Sequence, residues 1–123
     1  MTDRKYTKEH EWVQIEGDLA TMGISHFAQA ELGDLVFVDL PAIGKTVKKG
    51  ETLCVVESTK AASDVYAPVS GVVKEVNLLL KDQPELINSD PYKGGWIVVL
   101  ENVSAAETED LMNEDAYKKH IGE

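Results

Sequence analysis

The sequence predicts a mostly β fold of antiparallel strands with short peripheral helices, a β-rich α+β domain. Two observations carry this. Short apolar runs recur between Gly- and Pro-marked turns roughly every 8–12 residues, the rhythm of a sandwich or small barrel. Helix signals, by contrast, are confined to brief capped stretches in the middle and at the end of the chain.

Taken in order, Thr7 to Ile15 reads as an early strand through His10-Glu11-Trp12-Val13-Gln14-Ile15. The turn Glu16-Gly17-Asp18 closes it against a hairpin partner, Leu19 to Ile24. Ser25 is the expected N-cap and Gly33 the stop of a helix from His26 to Leu32. The dense apolar centre of Asp34 to Leu40 predicts a well-buried strand, ended by Pro41 and Gly44. Val47 to Glu51 is a turn into the run Leu53-Cys54-Val55-Val56. A tract of small polar residues, Glu57 to Asp64, then joins that run to Val65-Tyr66-Ala67-Pro68-Val69, as a β-hairpin with an exposed tip. Ser70-Gly71 turns the chain into a strand from Val72 to Asn77. Gly50 and Gly71 stand ten residues before and eleven after Lys60, a hint of two similar strand-turn-strand halves. Pro84 to Asn88 allows one helical turn, and Trp96 to Leu100 is a last apolar strand. Ser104 and Glu107 match a capping box for a helix from about Ala105 to Met112. Asn113 caps a second helix, Glu114 to Ile121, ended by Gly122.

At 123 residues the chain fits one domain, 1–123, with C-terminal helices at about 105–121 packed on it. A hydrophobic content of 43% is that of a soluble globular protein. No apolar run approaches the roughly 20 residues of a membrane span, and Met1-Thr2-Asp3-Arg4-Lys5 leads into no signal-peptide core. The expectation is a monomer of bacterial cytoplasmic type, favoured by the initiating Met over a mature mitochondrial form. Twelve Lys and Arg against 22 Asp and Glu give a formal charge of −10, which repels phosphate backbones and anionic lipid and disfavours nucleic-acid or membrane binding. Cys54, the one cysteine, sits in an apolar strand and reads as a buried, inert thiol.

No catalytic constellation emerges. His10, His26 and His120 have neither a cysteine partner nor helical spacing to one another, so no metal site is expected. Nucleophile elbow, phosphate-cradling loop and dinucleotide fingerprint are all missing, and nothing pairs Glu11, Asp39 and Asp64 as acid and base. That leaves a carrier or an interaction module. The one long, reactive side chain at the hairpin tip is Lys60.

Around that lysine, Glu57-Ser58-Thr59-Lys60-Ala61 followed by Ala67-Pro68-Val69-Ser70-Gly71 closely resembles the lipoyl-attachment signature of the glycine cleavage system H-protein family. The likeness extends, in order, through His10-Glu11-Trp12, Gly23-Ile24-Ser25, Ala28-Gln29, Leu32-Gly33-Asp34 and Val36-Phe37-Val38-Asp39-Leu40-Pro41. It continues in Pro84-Glu85-Leu86-Ile87-Asn88, Asp90-Pro91-Tyr92 and Gly95-Trp96, covering about the whole chain from Tyr6. The resemblance implies a barrel-sandwich hybrid with lipoate amide-linked to Lys60. It also implies that Glu57 and Gly71 help the lipoylating enzyme recognise its target. Thr59 stands where many members have Val, and both are β-branched; Tyr66 falls at a variable position.

The function so implied is a non-catalytic shuttle. A pyridoxal-phosphate glycine decarboxylase loads an aminomethyl group, a tetrahydrofolate-dependent aminomethyltransferase removes it, and a flavin (FAD) dihydrolipoyl dehydrogenase reoxidises the arm. The loaded arm carries an ammonium and hydrolyses easily, so a partly dry groove in which Glu11 or Asp64 pairs that ammonium is expected. The alternative within this reading is a relay protein donating lipoate to other enzymes. A biotin carrier would favour Met on both sides of the lysine. A lipoyl domain of a 2-oxo acid dehydrogenase would lack the His10-Glu11-Trp12 segment and the C-terminal helices.

Overall fold

The computed structural model of the chain describes residues 4–122; Met1, Thr2 and Asp3, where the N-terminal reading begins, and Glu123 lie outside the described residues. Nine strands are described: β1 Arg4–Tyr6, β2 Glu11–Glu16, β3 Leu19–Ile24, β4 Leu35–Asp39, β5 Thr46–Val47, β6 Thr52–Ser58, β7 Ala62–Tyr66, β8 Gly71–Val76 and β9 Val98–Glu101. The helices are α1 His26–Leu32, α2 Leu79–Asp82, α3 Leu86–Ser89 and α4 Glu114–His120, with a 3₁₀ turn at Ala105–Thr108. Strands pair antiparallel throughout, in one sheet of six, β1-β2-β3-β9-β8-β5, and one of three, β4-β6-β7.

Alternation within the strands explains the layering. On β2 and β3, Val13, Ala20 and Met22 point inward. Val56 and Val65 come from β6 and β7, and Val73, Val98 and Leu100 from β8 and β9; all are buried in one cluster between the sheets. Each such valine or leucine contributes about 1.5–3 kcal/mol. The β2–β3 hairpin turns at Gly17, whose φ of +61° costs glycine little.

A second, aromatic cluster closes the chain on itself. Tyr6 of β1 and Tyr117 of α4 stack with centroids 4.2 Å apart and planes 2° from parallel. The Tyr117 hydroxyl lies 2.6 Å from Ser25 Oγ and 2.8 Å from His10 Nδ1. Trp12, fully buried beside them, donates its indole N–H to the Pro91 carbonyl at 3.0 Å. Gly23 stands opposite Trp12, and a Cβ there would come within 2.8 Å of the indole nitrogen. Glycine is therefore what lets the tryptophan lie across β3.

Several elements match expectation. Ser25 caps α1 by accepting from Ala28 N at 3.1 Å, and Asn113 caps α4 by accepting from Ala116 N at 2.8 Å. Others are corrected. The strand β4 is not well buried: only Leu35 and Val38 point inward, while Val36 and Phe37 are 55% and 50% exposed. A bulge causes this, since Leu35 pairs with Ser58 and Phe37 with Glu57, leaving Val36 as the extra residue.

The capping box does not form either. Glu107 instead accepts from Ser70 N at 2.8 Å and Ser70 Oγ at 2.9 Å, so the expected helix shrinks to the 3₁₀ turn. Met112 is left to exchange backbone hydrogen bonds with Tyr6. The early strand starts at Glu11, because Thr7 to His10 is a turn in which His10 takes φ +75°. The last strand starts at Val98, the Pro84 turn settles as α3, and β7 ends at Tyr66, before Pro68. β1, β5 and α2 were not foreseen.

Candidate attachment site

The hairpin of β6 and β7 is tighter than its sequence suggested. Glu57 still pairs with Ala62, so the tip narrows to Ser58-Thr59-Lys60-Ala61. Ser58 N donates to the Ala61 carbonyl at 2.8 Å, closing the turn. The buried Ser58 hydroxyl accepts from Lys60 N and Ala61 N, each at 3.1 Å. Thr59 N donates to the Asp34 carbonyl at 3.1 Å, tying the tip to the entrance of β4. The amides of Ser58, Lys60 and Ala61 are thus satisfied within the turn and that of Thr59 by Asp34. The root is fixed and the lysine side chain is left exposed.

From that root Lys60 lies across the end of α1. Its Nζ is 3.5 Å from the Glu31 carbonyl, a long contact among the open carbonyls of the last helical turn. It passes over Gly33, where a Cβ would sit 3.1 Å from Lys60 Cε and where φ is +85°. Glycine at 33 thus both ends the helix and leaves a bed for the lysine stem.

Glu31 also stands at a groove of about 360 Å³ between α1 and the hairpin. Its walls are apolar, with Ile24, Phe27, Leu32, Val56 and Val65, and Glu11 and Asp64 are both among its lining residues. Two of the residues singled out in the sequence therefore meet here, one from β2 and one from β7. They differ in state. Asp64 is exposed, whereas Glu11 is 2% exposed, with Oε1 accepting from Thr7 Oγ1 at 2.5 Å and Oε2 from Tyr66 N at 3.1 Å. Burial pushes the Glu11 carboxyl above the usual range, and those two hydrogen bonds pull against it. His10, at the same groove, is lowered by burial first and by nearby His120 second, with Glu9 and Glu31 opposing.

The other residues of interest fall elsewhere. Glu57 is exposed on β6, close to the tip. Gly71 is buried on β8, in the other sheet, where a Cβ would press within 2.7 Å of the Glu101 carbonyl; packing alone demands a glycine there. Cys54 is buried, and burial pushes its thiol up to about 12. A larger cavity, about 460 Å³ between Tyr6, Lys49, Tyr66 and Met112, shares Glu11 but reaches none of the tip residues. Among the described residues no helix is long and apolar enough to cross a membrane, and no cluster could hold a metal ion.

Sequence reasoning missed Ser58 and Thr7. A serine just before an exposed turn is a readable signal for the first; only tertiary structure reveals the second, which orients Glu11.

Two antiparallel sheets packed face to face, with an exposed lysine at a hairpin tip beside an apolar groove, define a barrel-sandwich hybrid. The family model described as Glycine cleavage H-protein matches residues 4–123. The chain is 56% identical over 120 residues to a glycine cleavage system H protein of Coprothermobacter proteolyticus, covering 97% of this chain and 94% of that one. It is 54% identical over 119 residues to one of Thermotoga maritima, covering 97% and 96%. The crystal structure of a glycine cleavage system H protein from Mycobacterium marinum superposes with a TM-score of 0.89 at 41% identity, covering 98% of each chain. The chain belongs to the glycine cleavage H-protein family.

Proposed function

We propose that this chain is the lipoyl carrier of a glycine cleavage system, with lipoate in amide linkage to Lys60. Lipoate supplies a dithiolane that opens to thiols able to take up and release an aminomethyl group. The chain presents that group in turn to the pyridoxal-phosphate decarboxylase, the tetrahydrofolate-dependent aminomethyltransferase and the flavin dehydrogenase, and catalyses none of their steps. One observation carries the reading: the Lys60 amine ends at Glu31, on the rim of an apolar groove that holds Glu11 and Asp64. The apolar walls fit an acyl chain. The two carboxylates fit the ammonium of the cargo.

The work of the chain itself is positional. Ser58 and the Thr59–Asp34 contact hold the root of the arm still, so the arm's freedom becomes local concentration at each partner's site. Exposed Asp64 meets the cargo's ammonium at the groove mouth. Glu11, turned inward by Thr7 and Tyr66, offers a second carboxylate in a drier setting, where a cation is held more firmly. Glu57 supplies a charge beside Lys60 for the lipoylating enzyme, and Gly71 serves it indirectly, by keeping β8 close to β9.

Exchange of bicarbonate carbon into glycine tests the function. With the cognate decarboxylase, exchange should saturate with the lipoylated chain and vanish with Lys60→Arg; exchange that ignores the chain contradicts the proposal. Ammonia loss from the loaded carrier should speed up several-fold in Asp64→Ala or Glu11→Ala. An unchanged rate in both removes the shelter.

A further inference from the structure

The edge strand β4 carries a surface that the carrier role does not use. Its bulge turns two neighbours, Val36 and Phe37, to solvent. Helix α2 packs beside β4, and the chain enters it through Leu78 and Leu79, 62% and 56% exposed. Large apolar side chains exposed on adjoining elements mark an interaction site more often than chance. Exposed acidic residues rim this one: Asp34 and Asp39 at the two ends of β4, and Glu57 directly across from Phe37.

We propose that Val36, Phe37, Leu78 and Leu79 form the docking surface for the enzyme that acylates Lys60. This rests on the attachment reading above. Position picks the occupant. β4 is bound to the tip, with Thr59 N on the Asp34 carbonyl and Leu35 opposite Ser58, so Phe37 lies within a few residues of Lys60. An enzyme acylating Nζ must bring its activated acyl donor to a lysine's length from the hairpin, and its footprint then falls on β4. Enzymes acting on the distal end of the finished arm stand further off by the length of the acyl chain.

In the step served, the neutral Lys60 amine attacks the carbonyl carbon of an acyl adenylate. The amide bond forms, the carbonyl–phosphate bond breaks, AMP leaves with the electron pair, and the amine's proton passes to a base. A second copy of this chain is a poor occupant. The bulge interrupts the free strand edge, and a charge of −10 opposes self-association. The complementary surface is an apolar pocket rimmed by Lys and Arg, with Phe37 as its anchor.

The test is steady-state acylation of the intact chain by a lipoate–adenylate-forming ligase with lipoate and ATP, read by intact mass. Val36→Ser/Phe37→Gln and, separately, Leu78→Gln/Leu79→Gln should each lose about tenfold in kcat/KM through KM, about 1.4 kcal/mol. The α2 pair carries the test should the β4 pair fail to fold. Once fully acylated, the same variants should be reduced by dihydrolipoyl dehydrogenase within about twofold of the parent. Unchanged acylation in both variants overturns the surface. Equal losses in acylation and reduction overturn the choice of occupant, as does a dimer in sedimentation that the substitutions dissolve. A parent chain that takes no lipoyl group at all fails the attachment reading instead, a result distinct from these.

Discussion

The hairpin tip and the aromatic clasp solve opposite problems with the same kinds of bonds. At the tip, one serine hydroxyl satisfies two backbone amides and the lysine side chain is left free. In the clasp, Tyr6, Trp12 and Tyr117 give up their freedom, and polar atoms from both ends of the chain converge on the Tyr117 hydroxyl and the Trp12 indole. The clasp immobilises side chains, whereas the tip immobilises backbone and leaves a side chain exposed. A long side chain can serve as an arm only where its backbone is held and its own contacts are weak.

The comparison can be broken from either side. The largest effect expected is from Trp12→Ala, which empties a fully buried site in the clasp and should cost about 3–5 kcal/mol in urea unfolding. Lipoylation of the folded fraction should nevertheless proceed normally. Tyr117→Phe keeps the stacking but strips Ser25 and His10 of a partner, for roughly 1–2 kcal/mol.

The clasp should also respond to pH. His10 is held below its ordinary 6.5 in the fold, so the unfolded chain binds the proton more readily and stability falls as pH drops through about 6.5. Glu11 has the opposite sign: raised from 4.5, it makes the folded chain the better proton acceptor at more acid pH. His10→Asn, which tolerates the positive φ, should flatten the dependence measured between pH 5.5 and 7.5. A slope as steep as the parent's would place its source elsewhere. The smallest effect is expected at the tip. Ser58→Ala should cost only about 0.5–1 kcal/mol, yet hydrogen exchange at the Lys60 and Ala61 amides should quicken sharply. Unchanged exchange would mean that the tip is not pinned by that hydroxyl.

The two regions also differ in how far they could be read from sequence. The hairpin, α1 and α4 rest on local signals, a polar tract between apolar runs and Ser25 and Asn113 at helix starts, and these are visible over a few residues. Elements decided by distant partners were not. Glu107 has the spacing of a capping box, but Ser70 captures it. The apolar centre of β4 reads as core until its pairing with β6 forces a bulge. β1 is a strand only because β2 and Met112 supply its hydrogen bonds. The meeting of Glu11 and Asp64 at one groove brings β2 to β7, which no spacing along the chain encodes; the sequence offered only Asp64's place four residues beyond Lys60 and Glu11's place in a family-like motif.

The central claim is that Lys60 is the attachment point and the remainder of the chain its scaffold. Intact-mass spectrometry tests it most directly, on the parent chain and on Lys60→Arg after incubation with a lipoylating enzyme, lipoate and ATP. The account predicts a single lipoyl increment on the parent and none on the variant. An increment that persists in Lys60→Arg, or fails to appear on the folded parent, would contradict it.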